Sequence, residues 1–148
     1  MFHKVKDVYP SANKVLNILF ADGSTKLYDM KPIIDRIAAF KPLQDDSLFF
    51  SVVVDPGGYG VSWNDDIDVS SDELWEHGEE VDTPFDGLMS FSTAADLWGL
   101  NDSTLRKAIA YGKIMPGVDA RKYGKQWIVT RDAMLREYGE PVQPKKAS

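Results

Sequence analysis

Apolar and polar positions follow one kind of pattern over the first half of the chain and another over the last third. The stretch KVLNILFADGSTKLYDM holds two apolar runs joined at Asp22-Gly23. Asp-Gly between strand-like runs predicts a β-hairpin with a type I′ turn, whose two central residues both need φ > 0. In KPIIDRIAAF, Pro32 stands at a helix start and Ile33, Ile37 and Phe40 carry helical spacing. A second hairpin is expected in LFFSVVVDPGGYGVSW, turning at Pro56-Gly57-Gly58, with the β-favouring Val52, Val53, Val54, Val61 and Trp63 on either side. SSDELWEHG then reads as a short helix: Ser70 and Glu73 have capping-box spacing, and Gly78 can stop it. The acidic stretch EEVDTPFDG, with Pro84 and Gly87, reads as a linker.

From Ser90 onward the pattern turns helical. Thr93 is placed to cap a helix carrying Ala95, Leu97 and Trp98, and Gly99-Leu100 breaks it. Asn101 or Asp102 caps the next helix, in which Leu105, Ala108 and Ile109 share one face. Ser103, Arg106, Lys107 and Ala110 share the opposite face, and Gly112 ends the helix. QWIVT has strand character, and Thr130 caps a last helix, RDAMLREYG, with Met134, Leu135 and Tyr138 as its apolar stripe. The tail EPVQPKKAS is polar, with two Pro, and is expected to fray. These elements predict an α+β protein of two small domains: a β-rich α+β domain over residues 1–88, and a winged helix-turn-helix domain over residues 89–148.

Charge sharpens the division. The net charge of −6 combines 7 Lys/Arg against 17 Asp/Glu in residues 1–88 with 10 against 6 in residues 89–148. An acidic and a basic half suggest different partners for each. The chain has no Cys, which excludes disulfides, thiolate metal sites and a thiol nucleophile. No long apolar run stands at the N-terminus, so neither a signal peptide nor a membrane span is expected, and a cytoplasmic location follows.

The helix–Gly turn–helix carries the strongest chemical signal. A recognition helix needs an apolar face for its own domain and a polar, basic face for the groove. The helix around Arg106 has both. Ser103 is short enough to let the backbone approach phosphates, and Arg106 can fork onto guanine. The following GKIMPGVDARKYGKQWIVT sets Lys113, Arg121, Lys122 and Lys125 around Gly124, as a wing lying along the phosphate backbone requires. Tyr123 and Trp127 would anchor the wing to the core or stack on sugar. The plain alternatives are an αα-hairpin with a solvated basic face and an ordinary charged hairpin. Other candidates are weaker. Asp65, Asp66, Asp68, Asp72 and Glu73 are carboxylate-rich, but their spacing is not that of a calcium loop, and turns and a helix cap explain them. DPGGYG lacks the Lys-Ser/Thr of a phosphate-binding loop, and His3 and His77 stand in no nucleophile motif. No catalytic constellation, metal site or cofactor is expected, and the chain is not read as an enzyme.

AADLWGLNDSTLRKAIAYGKI, followed by a basic Gly turn, QWIVT and a helix, resembles the excisionase and MerR-like family of small winged helix-turn-helix domains over roughly residues 90–139. The resemblance implies binding of double-stranded DNA through the second helix and the wing, which falls on Ser103, Thr104, Arg106, Lys107, Lys122 and Lys125. The N-terminal pieces ILFADGSTKLYDM, FKPLQDDSLFFSVVVD and GYGVSWNDDIDVSSDELWE resemble bacterial domain-of-unknown-function family 2442, a small α+β domain. That resemblance implies an interaction role. The expected function is that of a bacterial or phage transcriptional regulator. It would bind DNA as a homodimer through Ser103, Thr104, Arg106, Lys107, Lys113, Arg121, Lys122 and Lys125. The alternative is an antitoxin-type protein whose N-terminal domain binds a small toxin-like partner.

Overall fold

The computed structural model describes residues 2–142. The chain divides into two compact units, Met1–Asp86 and Gly87–Ser148. Leu88, expected to close the first domain, lies in the second.

The first unit opens with an antiparallel meander of β1 (Val5–Pro10), β2 (Val15–Phe20) and β3 (Thr25–Asp29). Helix α1 (Lys31–Arg36), a 3-10 stretch (Ala38–Gln44) and the single turn α2 (Asp46–Phe49) follow. A second sheet is built from β4 (Val53–Val54), β5 (Gly60–Asn64) and β6 (Ile67–Ser70), in the order β4-β5-β6. Helix α3 (Ser71–His77) leads into β7 (Glu79–Val81), which returns to pair antiparallel with β3 and completes a sheet of order β1-β2-β3-β7. Strand alternation decides what is buried. Leu16, Ile18 and Phe20 of β2, with Tyr28 of β3 and Val5 of β1, point to one side and join Met30, Ile34, Leu43, Phe49, Val61, Trp63 and Leu74 in one core. Polar groups drawn into it are satisfied: Trp63 Nε1 donates to the Phe49 carbonyl (2.9 Å), and the Tyr28 hydroxyl donates to Glu73 (2.6 Å). Burial, helped by that carboxylate, pushes the Tyr28 phenol well above its ordinary pKa.

The second unit runs β8 (Leu88–Ser90), α4 (Phe91–Trp98), α5 (Asp102–Ala110), β9 (Ala120–Tyr123), β10 (Gln126–Thr130) and α6 (Arg131–Tyr138). Its sheet has the order β8-β10-β9. Phe91, Ala94, Ala95, Trp98, Leu105, Ala108, Ile114, Val129 and Met134 form a separate core. The mixed α and β composition of both units is the architecture read from the chain.

Several local expectations are corrected. The Asp22-Gly23 hairpin exists, but φ is positive at Gly23 (+92°) and not at Asp22. Gly23 N–H donates to the Phe20 carbonyl (3.0 Å) and Phe20 N–H to that of Ser24 (2.9 Å), so the loop has three residues rather than two. Asp22 serves instead as an acceptor for the Ser24 amide (2.9 Å). Helix α1 stops at Arg36, because Ile37 is extended (φ −110°, ψ 115°); Ile34 takes the core position and Ile37 is 47% exposed. The helix α4 cap is Ser90, whose side chain accepts from Thr93 N–H, so Thr93 lies inside the helix. Asn101 occupies the α5 cap position without a side-chain bond. The supposed linker residues Glu79–Val81 form β7, since pairing with β3 satisfies backbone groups that a linker would leave to water. The caps at Ser70 and Thr130 form as read, accepting from Glu73 N–H and Ala133 N–H. At the tail, Val142 N–H is held by the Leu97 carbonyl (2.8 Å), and the fraying expected for residues 143–148 lies outside the described residues.

The altered α1 boundary gives a direct test. Ile34→Ala empties a core position and is expected to cost about 2–5 kcal/mol, whereas Ile37→Ala on the surface stays within about 0.5 kcal/mol. Urea denaturation of both variants checks this; comparable losses would restore a continuous helix through Phe40.

Candidate nucleic-acid interface

Helix α5 is set against α4 by its apolar side. Leu105 and Ala108 are buried with Trp98 and Ala94, and Ile109 is packed at the edge of that core. The connection between the helices is tight because Gly99 adopts φ +64° and Leu100 N–H returns to the Ala95 carbonyl (2.8 Å). At the other end of α5, Gly112 (φ +80°) donates to the Ile109 carbonyl (3.1 Å) and Lys113 N–H to that of Ala108 (2.9 Å). This paired closure satisfies carbonyls that the helix end would leave open. Anchored this way, α5 exposes Ser103, Arg106 and Lys107 together on its outer face. Thr104 is half-buried, whereas the other three are exposed. Lys113, just past the helix, is exposed.

The hairpin β9–β10 has register Gln126↔Tyr123, Trp127↔Lys122 and Ile128↔Arg121, leaving Gly124-Lys125 as a two-residue loop. Lys125 therefore sits at the tip. Alternation sends Arg121 and Tyr123 to one face and Lys122 to the other, beside Trp127. The two aromatics part ways. Trp127 stacks on Phe91 (ring centroids 5.7 Å apart) and anchors the hairpin to the core, while Tyr123 stays 59% exposed. Among the described residues, no ion pair engages Arg106, Lys107, Lys113, Arg121, Lys122 or Lys125. Their charges are thus available to an external anion.

A fixed point lies between helix and hairpin. Asp119 is only 7% exposed. Its carboxylate accepts from Met115 N–H (2.9 Å) and from both terminal nitrogens of Arg136 (3.2 and 2.8 Å). Arg136 Nη2 also donates to the Lys113 carbonyl (3.2 Å), and Thr130 N–H to that of Asp119 (2.9 Å). One ion pair therefore ties the exit of α5, the loop beyond it, the end of β10 and helix α6. Hydrogen bonding from Arg136, then from Met115 N–H, holds the Asp119 carboxyl below the usual carboxylate range. Neither residue is singled out by sequence pattern. The available sign was one acidic residue inside the basic run GVDARK.

In the carboxylate-rich segment of the first unit, Glu73 is the side chain engaged in local structure among the described residues. Glu73 accepts from Tyr28 and faces His77 Nδ1 (3.1 Å), and no three acidic or His side chains among the described residues converge as a metal centre requires. No helix of the described residues is long and apolar enough to cross a membrane.

Two helices joined at a glycine, followed by a basic β-hairpin, define a winged helix-turn-helix, here preceded by an α+β unit. Comparison with known proteins agrees. The chain belongs to the family described as protein of unknown function (DUF2442), whose model matches residues 5–80, and a helix-turn-helix domain model matches residues 81–143. The presence of that second domain supports DNA binding. A solved structure from Nitrosomonas europaea ATCC 19718, of a candidate DNA-binding protein, is 20% identical, with 79% of this chain and 81% of that chain covered and a TM-score of 0.47. A likeness at that level carries no argument about function. No curated protein matches the sequence significantly.

The Asp119–Arg136 pair is open to a pH test. Asp119→Asn is expected to destabilise the chain by about 1–3 kcal/mol at neutral pH. Because the folded carboxyl titrates below its unfolded value, the wild-type advantage is complete above about pH 4 and is lost as pH falls through the folded pKa. Urea denaturation of wild type and variant between neutral and acidic pH measures this; a difference independent of pH would refute it.

Proposed function

We propose that the protein is a sequence-specific DNA-binding regulator of bacterial or phage type, acting in the cytoplasm by binding rather than catalysis. In this reading α5 enters the major groove with Ser103, Arg106 and Lys107, and the β9–β10 hairpin lays Lys122 and Lys125 on the phosphate backbone. Lys113 and Arg121 extend the basic surface. The observation that carries the reading is the set of exposed, unpaired cations on a unit with helix-turn-helix architecture. Phosphate contacts dominate such affinity through counterion release, and base-edge contacts from a few side chains add sequence discrimination. The acidic N-terminal unit binds a protein partner or joins two copies. A second reading, an antitoxin-type protein that masks a small toxin and autoregulates through its DNA-binding unit, is favoured by the excess of 17 Asp/Glu over 7 Lys/Arg in residues 1–88. A small basic protein encoded next door would favour that second reading.

Gel-shift assays on the chain's own promoter test the main reading. If Arg106, Lys107, Lys122 and Lys125 each meet a phosphate or base, log Kd against log salt should have a slope magnitude of about 3–4 per protomer. Binding indifferent to salt would exclude it. Arg106→Ala should lose roughly 1–3 kcal/mol of discrimination between specific and random DNA, whereas Lys125→Ala should weaken both about equally. Equal losses for Arg106→Ala would remove α5 from the groove. A single unit of this kind buries only about 600–1,000 Å² on DNA, too little for high specificity, so a dimer on a repeated site is expected. Light scattering that shows a monomer both free and on DNA would end that part of the proposal.

A further inference from the structure

We propose that the outer face of the four-stranded sheet β1-β2-β3-β7 is a docking surface for a basic, amphipathic segment of a protein partner. The inference rests on the reading of the N-terminal unit as an interaction module and says where on that unit the partner sits.

The register places Tyr9, Asn17, Leu27 and Glu79 in one row across the sheet, Asp7, Leu19, Thr25 and Val81 in the next, and Val15 beside Asp29 at one end. All of these point away from the side that carries Val5, Leu16, Ile18, Phe20 and Tyr28 into the core. An antiparallel sheet with one solvated face alternates apolar-in and polar-out. Here the outward positions include Tyr9, Val15, Leu19, Leu27 and Val81. None of them belongs to the core of the unit or packs against it; Tyr9 is 56% exposed and the other four are half-buried. The helix that covers the sheet lies on the other side: Tyr28 reaches Glu73 of α3, and the Lys26 ammonium sits over the Trp75 ring.

Two properties select the occupant. The first is area. At about 4.8 Å between strands and 3.3 Å per residue, four strands of five residues present roughly 300 Å². A stable dimer buries about 800 Å² per partner, so a second copy seated here alone would be under-supported. A single helix, about 10–12 Å across, fits within a face about 16–19 Å on each side. The second is charge. Asp7, Asp29 and Glu79 frame the apolar positions, and no paired position on the face holds Lys or Arg. Lys6 is the unpaired residue at the β1 bulge, and Lys31 comes from α1 to meet Asp29 (3.0 Å). An apolar centre with an acidic frame complements a helix with leucines on one side and lysines flanking them.

The test uses the full chain and a labelled helical peptide of about 18 residues, with leucines at helical spacing and lysines elsewhere, followed by fluorescence anisotropy. Leu27→Lys and Thr25→Lys each place a charge on the face, and the second, at an already polar position outside the core, guards against loss of folding in the first. Ala39→Lys adds the same charge at an exposed position in the 3-10 stretch. Both face variants should weaken the peptide by about tenfold or more, and Ala39→Lys by less than about twofold. Equal weakening by all three would reduce the effect to general charge attraction and overturn the proposal, as would absence of binding. Light scattering that shows a wild-type dimer dissolved by Leu27→Lys would assign the face to a second copy and also overturn it. The gel shift is run in parallel: unchanged DNA binding by Leu27→Lys is expected, and a wild-type chain that gives the shift but does not bind the peptide would fail the docking surface while leaving the DNA-binding reading standing.

Discussion

A carboxylate buried in a basic unit must find its counter-charge, and the way Asp119 does so organises the DNA-facing half of the molecule. An uncompensated buried charge is costly, so the loop that carries Asp119 can settle only where a donor set waits for it. That set is the Arg136 guanidinium and the Met115 amide. Because Arg136 projects from α6 and also holds the Lys113 carbonyl, satisfying one side chain fixes the segment joining α5 to the β9–β10 hairpin. A planar, bidentate donor does this better than a lysine could, since it sets direction as well as distance. Arg106, Lys107, Lys113, Arg121, Lys122 and Lys125 carry no ion pair among the described residues, which is the condition for a surface that meets phosphate.

The segregation of charge between the two units has its own consequence. Like charges crowded into residues 1–88 destabilise a compact state by self-repulsion, and the core built on Leu16, Ile18, Phe20, Phe49 and Trp63 has to overcome that. Few of the acidic side chains are drawn inward. Glu73 is tied by Tyr28, and Asp22 and Asp86 close local turns by accepting from Ser24 N–H and Thr83 N–H. The rest stay at the surface, where they set the electrostatic character offered to a partner.

Signals that act over a few residues were legible along the chain. The caps at Ser70 and Thr130 were readable because a side-chain oxygen and the amide three residues on are adjacent in any helix start. So were the hairpins around Gly23 and Gly57, and the helix-turn-helix with its exposed Ser103, Arg106 and Lys107. The same local logic failed where two short-range solutions compete. Ser90 and Thr93 can each cap α4, and the choice falls to Ser90, which is extended and follows directly on β8. Asp-Gly admits a two-residue or a three-residue loop, and strand register, not the dipeptide, selects between them.

What the sequence by itself determined is therefore the inventory: two units of opposite charge, their strands and helices within a few residues, and the basic helix with its hairpin. Each of these depends on neighbours in the chain. The tertiary structure alone decided which distant groups meet. It brought Glu79–Val81 to the free edge of β3, replaced Ile37 by Ile34 in the core and joined Asp119 to Arg136. In each case the deciding force is the need to satisfy a backbone row, fill a cavity or neutralise a charge with a group that chain spacing does not identify. The outer face of the first sheet belongs to the same class, because only the register of four strands shows that Tyr9, Leu19, Leu27 and Val81 lie on one surface.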